Sequence, residues 1–227
     1  RDAKAYHSSF TWSCSNKNLA ALTNWKKPRY IKGAGTYSYM PYCWGGFSTT
    51  AQYKTAMNNS GRVGNINTPK SGHVANTYGL DCSGYVSRCW LQPTKYGTAT
   101  IGTICNKISY NALRTADALN KSGSHIVLFD YSDAAGNYTL YEATTLNQYD
   151  RVAHTSRSVK NLSSGGYVAL SYKGITINVF SSRLALPLPI KTTFYHNKER
   201  VYEKATSSLQ EKGMVTNENI IRTFMVM

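Results

Sequence analysis

The chain has 227 residues, with 26 Lys+Arg against 11 Asp+Glu, a formal charge of +15, and 41% hydrophobic and 12% aromatic residues. This is ample apolar material for one large packed domain and excludes wholesale disorder, while no run approaches the ~18 apolar residues of a membrane span. The charge implies a polyanionic partner, and Arg1-Asp2-Ala3-Lys4 lacks the apolar core of a signal peptide, so no export signal is expected within these residues.

In chain order, a helix is expected near residues 18–24, then a loop rich in Gly and Tyr, with Tyr30, Tyr37, Tyr39 and Tyr42 clustered. Tyr42-Cys43-Trp44-Gly45-Gly46 follows. Residues 47–80 are polar, with Gly61, Gly64, Pro69 and Gly72 as turn signals, and read as a surface loop or insertion at about 47–78. Next, Tyr85, Val86, Cys89 and Trp90 have helical spacing, and Pro93 ends that helix. A second helix is expected over 106–119. After Lys121-Ser122-Gly123 the period changes. Residues 124–130 (SHIVLFD) read as a buried strand, 133–137 as a turn and 137–145 as its hairpin partner. Further strands are expected within 150–159 and 166–180. Pro187 and Pro189 mark a break, and a polar helix is expected near 198–213. Helices first and strands after predict an α+β fold, with a domain over 1–180 and a C-terminal extension or small subdomain over 181–227.

The charge is uneven: +9 over residues 1–80, +2 over 81–170 and +4 over 171–227. It is not packed into one Lys/Arg run, so a basic folded surface is expected rather than a basic tail. The tyrosines among these bases suit stacking on bases or sugar rings, and equally suit a wettable core. The five cysteines (Cys14, Cys43, Cys82, Cys89 and Cys105) include no CxxC pair or Cys/His cluster of zinc spacing. No metal and no cofactor is therefore expected. His7, His73, His154 and His196 form no metal-spaced group, although His73 falls in the insertion and is a candidate to line a cleft.

Three residues form a candidate for chemistry. Cys82 follows an acid and opens a helix, whose N-terminal field favours a thiolate nucleophile. Asp81 is placed to cap that helix, and Ser83 and Gly84 leave room for a substrate backbone. His125 lies 43 residues downstream at the start of the apolar strand, placed to act as general base. Glu142, the first Glu in the chain, lies on the next strand, where it can hold the second imidazole nitrogen. Taken singly, each reads as readily as a small buried cysteine, a polar strand-edge histidine and an exposed strand glutamate.

Their order and context resemble a known family. YCWGG (42–46), GLDCSGYV (79–86), GSHIVLF (123–129) and YEAT (141–144) resemble the NlpC/P60 cysteine peptidases, over about residues 36–170. The resemblance implies a papain-like fold, with N-terminal helices packed on a central antiparallel β-sheet, to which this chain is expected to add a long insertion before the nucleophile helix. It implies Cys82 as nucleophile, His125 as base and Glu142 as the residue that orients it. Tyr42 would lie beside the nucleophile, with the Cys82 N–H as an oxyanion donor. Trp44, Asp81, Ser83, Gly84 and Ser124 would line the substrate site. Three features depart from the family. The 34 residues between Gly46 and Asp81 exceed its usual short link and are expected to overhang the cleft. Glu142 stands where His, Asn or Gln is usual, which leaves Asn147, Gln148 and His154 as alternatives. Cys43 is unusual within its segment and is a candidate to pair with Cys14.

The implied activity is hydrolysis of peptidoglycan stem peptides, between D-γ-glutamyl and a diamino acid, by a secreted or cell-wall-associated bacterial enzyme. Its basic surface would hold anionic wall polymers, with no nucleic-acid partner and no transmembrane segment expected. An amidase or antibacterial effector of the same fold is the neighbouring reading. A basic polyanion-binding module without catalysis is the alternative of another class.

Overall fold

The structure, a computed structural model, describes residues 3–174. In chain order these hold β1 (Thr11–Cys14), β2 (Gly35–Ser38), α1 (Thr50–Asn58), β3 (Arg62–Val63), β4 (Thr77–Tyr78), α2 (Cys82–Cys89), β5 (Cys105–Lys107), β6 (Ala118–Lys121), β7 (His125–Ser132), β8 (Asn137–Thr144), β9 (Arg151–Ser158), α3 (Val159–Ser164) and β10 (Val168–Tyr172). β5 to β10 form one six-stranded antiparallel sheet in the order β5-β10-β6-β7-β8-β9. β1 pairs with β2, and β3 with β4, as separate two-stranded ribbons. The architecture is α+β with few helices. Among the described residues no helix is long and apolar enough to cross a membrane.

β7 reads as a continuous apolar run because both of its faces are covered. Ile126 and Leu128 join Tyr85, Val86 and Cys89 of α2 in one core. Val127 and Phe129 join Leu119, Leu140 and Leu162 of α3 in a second. Each such side chain contributes about 1.5–3 kcal/mol when fully buried. The turn into β8 is closed by Asp133, whose Oδ1 accepts the N–H groups of Ala135 and Asn137 at 2.9 and 2.8 Å. α2 lies against β7 and β8, which brings the start of the helix to the end of the sheet where β7 begins.

Four expectations are corrected. The polar stretch 47–78 is not a loop overhanging a cleft but contains α1, β3 and β4. Thr49 and Gln52 form a reciprocal capping box: the Gln52 N–H donates to Thr49 Oγ1 at 3.1 Å and the Thr49 N–H to Gln52 Oε1 at 2.8 Å. Tyr53, Ala56 and Met57 then point one face of α1 into the core. The helix expected over 106–119 is instead β5, a 3-10 turn at Tyr110–Ala112 and β6, because both strands pair with β10 far along the chain. The helix expected at 18–24 is a single 3-10 turn, Asn16–Leu19. There the buried Asn18 amide donates to the carbonyls of Met57 and Gly61, each at 2.8 Å, and so ties this turn to the end of α1. Helices do not precede strands, since β1 and β2 come before α1. The extension over 181–227 and the helix near 198–213 lie outside the described residues.

Candidate active site

Cys82 is the first residue of α2 and Asp81 its N-cap. Asp81 Oδ1 accepts the Gly84 N–H at 2.7 Å and the Ser83 hydroxyl at 3.1 Å. Its Oδ2 accepts the Gly45 N–H at 3.0 Å and the Lys95 ammonium. Asp81 therefore joins the Trp-Gly-Gly turn to the start of the helix. Gly45 has φ +73°, and a Cβ there would lie 2.7 Å from that of His73, so this turn demands glycine. A Cβ on Gly84 would lie 2.1 Å from the Gly46 carbonyl oxygen. The room expected at Gly84 for a substrate backbone is thus filled by Gly46, and Ser83 is buried with its hydroxyl on Asp81. Both residues seat the helix rather than open it.

Strand alternation puts His125 on the sheet face of Val127 and Phe129, and Glu142 on the same face with Leu140. Across the β7–β8 pairing their side chains meet: His125 Nε2 donates to Glu142 Oε2 at 2.6 Å. Nδ1 remains for Cys82, whose side chain is close enough to help raise the imidazole. Glu142 is fully buried. β9 supplies the rest of its shell: Thr155 Oγ1 donates to Oε1 at 2.7 Å, and Arg157 Nη2 donates to Oε1 and Oε2 at 2.5 and 2.6 Å. Arg157 Nη1 donates in turn to the Tyr167 hydroxyl at 3.3 Å.

Electrostatics follow from these contacts. Burial opposes a charge on His125, but hydrogen bonds with Cys82 and Glu142, and their charges, raise the imidazole from 6.5 to about 9. Burial alone would raise the Glu142 carboxyl. The bond and charge of His125, the charge of Arg157 and the Thr155 hydroxyl outweigh it and hold the carboxyl at about 2. At neutral pH the pair is imidazolium and carboxylate.

Of the other sequence candidates, Tyr42 is buried with Cys82 and Asp81 nearby. Burial first, then those two groups, pushes its phenol up, so it keeps its proton. Trp44 is half-buried against the core, its backbone N–H donating to the Asn65 carbonyl at 2.9 Å. Ser124 is exposed in the turn before His125. None of the alternatives for the third position is bonded to His125. Asn147 and Gln148 lie in a 3-10 turn with left-handed φ of 48° and 60°. His154 bonds Asp130 at 3.0 Å and stacks on Tyr141, with ring centroids 4.2 Å apart.

Arg157, Thr155, Tyr167 and Lys95 escaped sequence reasoning. One signal was available: a carboxylate in an otherwise neutral strand needs a cation once buried, and Arg157 lies on the following strand. All five cysteines are free thiols, so the suggested Cys14–Cys43 pair is corrected. Burial pushes Cys14 up, Cys43 to about 12 and Cys105 to about 11, which keeps these three protonated at neutral pH. His73 is exposed beside Gly45, with Nε2 3.0 Å from the Thr77 carbonyl oxygen. Among the described residues no three His, Cys, Asp or Glu side chains gather as a metal site.

Comparison with protein-family models, with curated proteins and with solved structures finds no match to this chain.

Proposed function

We propose that this chain is a cysteine peptidase of bacterial cell-wall stem peptides, built on an NlpC/P60-like, papain-like arrangement. The observation that carries the reading is the series Cys82, His125 and Glu142: a thiol at a helix start, an imidazole that interacts with it from a strand, and a carboxylate on the next strand bonded to that imidazole at 2.6 Å. Cysteine nucleophiles are activated in this way, with the third group fixing the ring and stabilising its charge.

In the proposed reaction the Cys82 thiolate attacks the scissile carbonyl carbon. In this reading the Cys82 N–H and the protonated Tyr42 phenol stabilise the oxyanion. Collapse expels the amine, which takes its proton from the His125 imidazolium and leaves a thioester on Cys82. His125, now neutral, accepts a proton from water, and the hydroxide attacks the thioester. The acid product leaves and the thiolate–imidazolium pair returns.

The substrate class rests on the motif resemblance and on charge. The +9 borne by residues 1–80 suits retention on anionic wall polymers outside the cell. The test is digestion of purified muropeptides by the full chain and by Cys82→Ala. The wild type is expected to release a new amine at the D-γ-glutamyl–diamino acid bond. Undiminished hydrolysis by Cys82→Ala would remove the mechanism, and a new amine on lactyl-linked L-alanine would point to an amidase.

A further inference from the structure

The Glu142 carboxylate has no exposed surface of its own, yet it must stay ionised and correctly turned to support His125. Burial works against ionisation, and a side chain with three rotatable torsions does not hold one orientation unaided. The Arg157 guanidinium answers both demands: a single Nη2 spans Oε1 and Oε2 at 2.5 and 2.6 Å. Because the guanidinium is planar and its second nitrogen is bonded elsewhere, the Nη2 that spans the two oxygens is held in a fixed place, and the carboxylate is held with it. Tyr167 steadies the fork from the far side through Nη1. The titratable and charged groups around Glu142 are His125 on β7, Arg157 on β9, Tyr167 ahead of β10, and Cys82 on α2 beyond the imidazole. Tyr149 and His154 share with Glu142 and Arg157 the wall of a cavity of about 270 Å³.

We propose that Arg157 is a positioning residue of the active site, holding Glu142 as an oriented anion and, through it, keeping His125 charged opposite Cys82. The proposal rests on the reading of Cys82, His125 and Glu142 as catalytic. The cavity makes it testable by chemical rescue. The Arg157 side chain is 20% exposed, so truncation leaves a space that exogenous guanidinium can enter.

The experiment measures carbamidomethylation of Cys82 by iodoacetamide from pH 5 to 8. It is read on the tryptic peptide 71–88, in which Cys82 is the sole cysteine. In Arg157→Ala the rate at pH 6 is expected to fall about tenfold, with the acid limb moved up. Guanidinium at non-denaturing concentration should restore most of it. A folded Arg157→Ala protein whose profile superimposes on the wild type overturns the proposal, and so does a loss that guanidinium leaves untouched. Arg157→Lys keeps the charge and most of the volume and stays readable if the alanine variant does not fold. An ammonium lacks the second nitrogen that Tyr167 anchors, so it holds the carboxylate less firmly and a two- to fivefold fall is expected, about half the logarithmic loss of the alanine variant. A profile equal to the wild type there overturns the proposal too. Alkylation needs no substrate. Arg157-dependent alkylation in a protein inert on muropeptides upholds the positioning role and rejects the substrate. Arg157-independent alkylation in an active hydrolase rejects the positioning role alone.

Discussion

Glu142→Gln removes one charge and little volume from the buried end of the Cys82–His125–Glu142 series. The rise of His125 from 6.5 to about 9 corresponds to roughly 3 kcal/mol of preference for the imidazolium, drawn from Cys82 and Glu142 together against burial. The amide keeps a hydrogen-bond acceptor but not the charge, so the imidazole midpoint should move down toward its ordinary value. The variant also leaves Arg157 without its counter-ion. Breaking a fully buried pair costs about 3–5 kcal/mol, and the 20% exposure of Arg157 lowers this to roughly 2–3 kcal/mol. The pH signs differ for the two partners. His125 is raised, so its stabilisation is full below pH 6.5 and disappears as pH rises through about 9. Glu142 is depressed, so its stabilisation is present above pH 4.5 and disappears as pH falls through about 2. Titration of the His125 ring nitrogens by ¹⁵N–¹H spectroscopy reads the midpoint, and urea denaturation at pH 7 and pH 10 reads the stability. The stability gap between wild type and variant should narrow at pH 10. A His125 midpoint unchanged by the substitution, with the fold intact, would refute the electrostatic role given to Glu142.

Two predictions concern packing. Gly84→Ala puts a methyl group 2.1 Å from the Gly46 carbonyl oxygen, so it should cost about 3 kcal/mol or prevent folding; a denaturation midpoint equal to the wild type would contradict the close approach of helix and turn. Tyr53 is fully buried, and among the described residues its hydroxyl has no partner. Tyr53→Ala should therefore cost about 3–5 kcal/mol, while Tyr53→Phe should be neutral or stabilising by about 1 kcal/mol, both by thermal or urea unfolding. A negligible effect of Tyr53→Ala would restore the view of residues 47–78 as a loop outside the core.

The parts of the site and fold that were legible in the sequence are those set by local chemistry. Asp81 before Cys82 announced a capped helix, and residues 85, 86, 89 and 90 gave its buried face. The apolar run 126–129 and the turn residues 133–136 gave the hairpin of β7 and β8. What escaped was set by distant partners. β5 and β6 are short strands with Asn, Lys and Ala at their positions, and they extend only because β10 pairs with both. α1 was hidden by its polar composition, although Thr49-x-x-Gln52 is a capping signature on inspection of the sequence alone. The third residue was narrowed by strand order but fixed only by register, which sets Glu142 beside His125 and turns His154 toward Asp130. Arg157 carries no local mark; only the need of a buried Glu142 for a cation, met from the neighbouring strand, points to it.

The central claim is that Cys82, activated by His125 and Glu142, cleaves cell-wall stem peptides. The direct measurement is mass spectrometry of peptidoglycan fragments after incubation with the full chain, with Cys82→Ala as control. New fragments ending at D-γ-glutamate, absent from the control, are the predicted result. Intact stem peptides after incubation with a folded wild-type protein whose Cys82 alkylates readily, or identical fragments from the control, would contradict it.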